Sequence, residues 1–141
     1  MNDGPRAALS DAERQTLKVL WERGPSTVRE VHDQLSQQGT GWSRSTVITL
    51  LQRLEKKGYV ASDKSQFAFV FRAAVSREEV MHARMSELAG ELCDGQPLPL
   101  VMAFAQQHAF TPAEIDQFRR MIDALKRPSS AHDQPSQRRS E

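Results

Sequence analysis

The sequence predicts a mainly α fold with one small β-hairpin: three short helices and the hairpin come first, and three more helices follow. Three observations predict it. Four segments read as capping boxes, in which a hydroxyl and a glutamate three residues on satisfy each other's free backbone N–H groups: Ser10–Glu13, Thr27–Glu30, Ser76–Glu79 and Thr111–Glu114. Each precedes apolar residues at helical spacing. Between the third helix and the fourth, Phe67, Phe69 and Phe71 alternate with Ala68, Val70 and Arg72, the period of a half-buried strand.

Taken in order, the first helix covers residues 11–23, with Leu17, Leu20 and Trp21 as its apolar stripe and Gly24-Pro25 as its stop. The second covers 28–37, with Val28, Val31 and Leu35 facing inward and Gly39-Thr-Gly41 closing it. The third covers 43–57 and ends at Gly58, a residue suited to a left-handed C-terminal cap. Strands follow at 59–63 and 67–72, joined by Lys64-Ser65-Gln66. The remaining helices cover about 77–93, 98–108 and 112–126, the last with Pro112 at its first position. The tail, 128–141, is rich in Pro, Ser, Gln and charge and is expected to be disordered. Helix–helix–helix–hairpin is the order of a winged helix-turn-helix. The expected domains are therefore a winged helix at 1–75, a helical segment at 76–127 and the tail.

The net charge of +1 is unevenly spread: residues 1–75 hold 11 Lys and Arg against 8 Asp and Glu, and residues 76–127 hold 6 against 8. A basic front half facing phosphate fits this distribution, as does chance. Cys93 is the sole cysteine, so no intrachain disulfide can form, which fits a reducing cytoplasm. The start of the chain lacks the apolar core of a signal peptide, and no apolar run reaches membrane-spanning length, so no direct membrane insertion is expected.

The third helix carries the chemistry. Wound at helical pitch, Val47, Leu50, Leu51 and Leu54 share one side and pack inward. The other side carries Ser45, Thr46, Thr49, Gln52, Arg53 and Lys56, with Ile48 at its edge and Ser43 and Arg44 at its start. Short hydroxyl side chains permit close approach to a major groove, and threonine methyls and Ile48 suit thymine methyl groups. Arg53 can reach guanine or phosphate, and Lys56 and Lys57 suit phosphate. Lys64 and Arg72 extend the footprint into the wing. Such a face is also what an ordinary solvated helix shows; its place as the third helix before a hairpin favours DNA.

At Trp42-Ser-Arg-Ser-Thr-Val-Ile-Thr-Leu-Leu-Gln-Arg-Leu-Glu-Lys-Lys-Gly58 the chain resembles the penicillinase repressor family, the BlaI/MecI type. The likeness extends through Leu9-Ser-Asp-Ala-Glu13, Val19-Leu-Trp21, Ala74-Val-Ser-Arg-Glu-Glu79 and Leu100-Val-Met-Ala-Phe104, over roughly 9–126. The resemblance implies a homodimeric repressor that binds an inverted-repeat operator in double-stranded DNA and controls resistance or stress genes. It places Ser45, Thr46, Thr49 and Arg53 on the recognition helix and dimerisation after the wing. Some members are inactivated through a membrane-embedded metallopeptidase sensor pathway, with cleavage in the fifth helix between asparagine and phenylalanine. The matching pair here is Ala103-Phe104, so the asparagine is replaced. The paired Cys-x-Cys motifs of the copper-responsive branch are missing.

The back half reads as the dimerisation device. Met81, Met85, Leu88 and Leu92 form a seam at intervals of 4, 3 and 4. The fifth helix, with Val101 and Phe104, is apolar nearly all round, and the sixth offers Ile115, Phe118 and Ile122. So short a segment cannot cover all of this alone; a second copy can, and folding back onto the winged helix is the other solution. His32, His82, His108 and His132 lack ligand spacing, and no catalytic or phosphate-loop motif occurs; neither metal, cofactor nor enzymatic activity is expected. The other functional reading is a winged helix that binds protein rather than DNA, which charge reversal at Arg53 and Lys56 would distinguish.

Overall fold

A computed structural model describes residues 6–126; the tail at 128–141 lies outside them. The elements are α1 (Asp11–Arg23), β1 (Ser26–Thr27), α2 (Val28–Gln37), α3 (Arg44–Lys57), β2 (Val60–Asp63), β3 (Val70–Ala73), α4 (Arg77–Leu92), α5 (Pro97–Gln107) and α6 (Pro112–Leu125).

Capping sets the helix starts. The reciprocal boxes form at Ser10/Glu13, Thr27/Glu30 and Thr111/Glu114. At α4 only half the expected box is made: the Glu79 N–H donates to the Ser76 hydroxyl at 3.0 Å. Gly58 ends α3 in the left-handed region at φ 88°, which a side chain would disfavour, and this sharp exit starts β2.

The strands form one antiparallel sheet in the order β1-β3-β2, with Ser26 opposite Phe71 and Val60 opposite Ala73. The sequence reading lacks β1, because two residues are too short to show alternation and Thr27 also caps α2. The reading of 67–72 as a strand needs correcting. Its ladder begins at Val70, and of the three phenylalanines only Phe71 is buried. The Asp63 carboxylate accepts from the Ser65 N–H at 2.9 Å, a local turn that takes residues 64–69 out of the ladder. Phe67 and Phe69 therefore stand on the wing loop, exposed.

α1, α2, α3 and the sheet share one core, built from Leu17, Leu20, Val31, Leu35, Val47, Leu51, Leu54, Val60 and Phe71. All four inward residues expected of α3 are buried. α1 buries Val19 and Glu13 as well, neither of them part of the predicted stripe. Trp21 is only partly buried; its indole N–H donates to the Val75 carbonyl at 2.9 Å, tying α1 to the chain leaving β3.

The chain divides into two compact units, the first running through Pro97 and the second starting at Leu98. The first holds the winged helix and α4. In α4, Ala89 is buried and Val80 packs on the core, while Met81, Met85, Leu88 and Leu92 are exposed. The second holds no buried residue in α5 or α6.

Candidate nucleic-acid interface

α3 is positioned by its apolar side, so its other side is fixed outward. At its N-terminus the Ser43 hydroxyl accepts from the Thr46 N–H at 3.2 Å and lies 3.0 Å from both the Ser45 and Thr46 hydroxyls. One turn on, the Thr49 hydroxyl donates to the Ser45 carbonyl at 3.0 Å. Such bonds fix the hydroxyl rotors, and with them the direction of the threonine methyls.

Ser43, Arg44, Ser45, Thr46, Thr49, Gln52, Arg53 and Lys56 are all exposed, as are Lys64 and Arg72; Ile48 is half-buried at the edge of the face. Among the described residues, Arg44, Arg53, Lys56, Lys64 and Arg72 enter no ion pair. Lys64 instead lies over the Phe69 ring, 5.7 Å from its centroid. The bordering acid, Glu55, accepts a hydrogen bond from the Ser62 hydroxyl of β2. That bond turns its charge toward the wing and ties β2 to α3. The face therefore presents uncommitted cations, with its border acid bonded to the wing.

Lys57 is the exception, because its ammonium already has partners within the fold. Its Nζ donates to Glu13 Oε1 at 2.7 Å and to the Ala8 carbonyl at 2.9 Å. Glu13 is almost wholly buried, and the Ser10 N–H also donates to Oε1, at 2.8 Å, while Oε2 has no partner among the described residues. Burial pushes this carboxyl up. Hydrogen bonds from Lys57 and Ser10, with the Lys57 charge, outweigh that and leave it below the ordinary glutamate range. The lysine thus ties α3 to α1 and to the residues before it. The Tyr59 hydroxyl donates to the Ala7 carbonyl at 2.7 Å and Arg6 Nε to the Gly58 carbonyl at 3.2 Å, so residues 6–8 are strapped to the end of α3.

The model of the family described as penicillinase repressor matches residues 9–124, which takes in every element from α1 to nearly the end of α6. The chain belongs to the penicillinase repressor family. That family consists of DNA-binding transcriptional repressors, not enzymes. The penicillinase repressor of Bacillus licheniformis is 26% identical over 118 residues, covering 84% of this chain and 91% of the relative. The transcriptional regulator BlaI of Mycobacterium tuberculosis is 34% identical over 87 residues, 61% of this chain and 62% of the relative. Among solved structures, the monomeric form of B. licheniformis BlaI in complex with the blaP half-operator matches with a TM-score of 0.45 and 33% identity, over 52% of this chain and 88% of that one. Within this member of the penicillinase repressor family no described helix is long and apolar enough to cross a membrane, and no three His, Cys, Asp or Glu among the described residues gather as metal ligands.

Alternation in sequence puts Phe67 and Phe69 in a strand rather than on the wing loop, and the Glu13 partner of Lys57 is not among the residues predicted for the face. The Asp63-Lys-Ser65 turn was the available signal for the first two. Nothing local signals the third, because the pair spans 44 residues.

Proposed function

We propose that this chain acts as a homodimeric repressor of transcription in the cytoplasm, reading an inverted-repeat operator with α3 in the major groove and the wing beside it. The observation that carries the DNA contact is the outward face of α3, hydroxyl-rich at its N-terminus and cationic toward its C-terminus, with no acid among the described residues paired to Arg44, Arg53 or Lys56. The N-terminal turn of such a helix meets base edges. Ser45, Thr46, Ile48 and Thr49 take that role, with Arg53 and Gln52 deeper along the groove. Arg44, Lys56, Lys64 and Arg72 take the phosphates. Lys57 is left out.

Dimerisation is supported by uncovered apolar surface. Met81, Met85, Leu88 and Leu92 on α4, Phe104 on α5, and Ile115, Phe118 and Ile122 on α6 are all exposed, and Val101 is half-buried. α5 and α6 bury no residue and α4 leaves its apolar seam uncovered; such faces need a partner surface, and a second copy supplies identical ones. A twofold protein then demands a palindromic site. The proposal extends to release: Ala103 and Phe104 lie exposed in α5, where a membrane metallopeptidase sensor pathway ending in cleavage would divide the apolar surface.

The test is selection from a randomised duplex pool with the full chain, followed by binding at several salt concentrations. An inverted repeat is expected, with log K falling linearly in log salt. Replacing Arg44, Lys56, Lys64 or Arg72 by alanine is expected to flatten that slope by about one unit for each phosphate left without its cation. Recovery of no sequence, or salt-independent binding, defeats the reading. Thr46→Ala and Thr49→Ala are each expected to narrow the gap between selected and random duplex by roughly 1–3 kcal/mol for each base edge no longer read. Undiminished discrimination in both would mean that another face enters the groove.

A further inference from the structure

We propose that Phe67 is itself a DNA-reading residue, an apolar wedge at the wing tip that enters the minor groove beside each half-site and loosens a base step there. The inference rests on the reading of α3 as the major-groove helix. Within the described part of the winged helix, Phe67 and Phe69 are the only exposed large apolar side chains. Phe69 remains partly covered and has Lys64 over its ring. Phe67 is fully exposed, so its ring has no cover among the described residues.

The base of the wing is nonetheless fixed. Asp63 pairs with Val70 at the end of the ladder, the Asp63 carboxylate holds the Ser65 N–H, and the Ser62 hydroxyl binds Glu55 of α3. A bare aromatic ring thus stands on a loop whose root is anchored to the recognition helix. Lys64, on the same loop, and Arg72, in β3, lie on either side of it along the chain and enter no ion pair among the described residues. A neutral ring on a wing that carries uncommitted cations suits a groove walled by phosphates. A second copy of this chain would bring the same cations and repel. The major groove admits one helix, so an element beside α3 meets the next backbone and the minor groove beyond it. Phenylalanine inserted from that side unstacks a step, at least cost where a pyrimidine precedes a purine.

The experiment uses the full chain and the duplex it enriches from a randomised pool, with 2-aminopurine at steps flanking each half-site. Wild type and Phe67→Trp are expected to raise the fluorescence at one flanking step. Phe67→Ala is expected to abolish that rise and weaken binding about tenfold, with the salt slope unchanged. Lys64→Ala is expected to flatten the slope by about one unit per chain and keep the rise. The ring touches no core, so Phe67→Ala should melt with wild type. Affinity of Phe67→Ala within about twofold of wild type, against the roughly tenfold loss expected, overturns the proposal. So does a silent fluorophore with wild type, or a flattened slope in Phe67→Ala. Intact DNA binding with altered sedimentation would assign the ring to a contact between copies, and the proposal falls. Should wild type enrich no duplex, the reading of α3 falls too; should it enrich one that Phe67→Ala binds normally, this inference alone fails.

Discussion

A chain ending at Ala103 is expected to sediment as a monomer or weak dimer and to bind the operator about 100-fold or more weakly than the full chain, because two linked half-sites make the second binding step intramolecular. The folded part should survive the cut. No residue of α5 or α6 is buried, and the winged-helix core is complete without them, so the thermal transition of that core should hardly move. What the cut removes is exposed apolar surface: Phe104, Ile115, Phe118, Ile122 and Leu125. Loss of affinity with retained folding is also how cleavage between Ala103 and Phe104 would lift repression. Sedimentation and operator titration of the shortened chain decide it. A tight dimer with undiminished affinity would move the interface to the Met81, Met85, Leu88 and Leu92 seam and remove α5 and α6 from the role proposed for them.

Lys57→Met should destabilise the winged helix by about 2 kcal/mol at neutral pH. Breaking a fully buried ion pair costs about 3–5 kcal/mol, and the Lys57 side chain is 28% exposed against 2% for Glu13, which softens the loss. The compensation of the Glu13 charge converges on Oε1, so without Lys57 a buried carboxylate is left with the Ser10 N–H as its remaining donor there. The sign of the pH dependence follows. The folded-state pKa of Glu13 is depressed below the ordinary 4.5, so the pair's contribution is complete above that value and is lost as pH falls through the depressed pKa. Urea melts of wild type and Lys57→Met should therefore differ most near pH 7 and converge on acidification. A gap below about 0.5 kcal/mol at pH 7, the scale of an exposed pair, or one that does not change with pH, would mean that the Lys57–Glu13 bond contributes little.

The helices and their inward faces were legible in the order of residues along the chain. Capping hydroxyls, the Gly58 stop and 3.6-residue periodicity are local signals, and they located α1 to α4 and α6 and the buried Val47, Leu50, Leu51 and Leu54 without reference to anything distant. The same periodicity fixed which side chains of α3 face outward. Three features emerged only once the chain was folded. Phe67 and Phe69 left the strand because the Asp63 turn and the short register of β2 on β3 end the ladder at Val70, and alternation in sequence does not show where pairing stops. β1 exists because β3 offers it an edge; two residues carry no period. Lys57 is paired with a buried acid 44 residues away. Helical position puts it near the border of the exposed face, and only the packing of α1 on α3 brings Glu13 within reach, where a desolvated carboxylate holds an ammonium more firmly than solvent does.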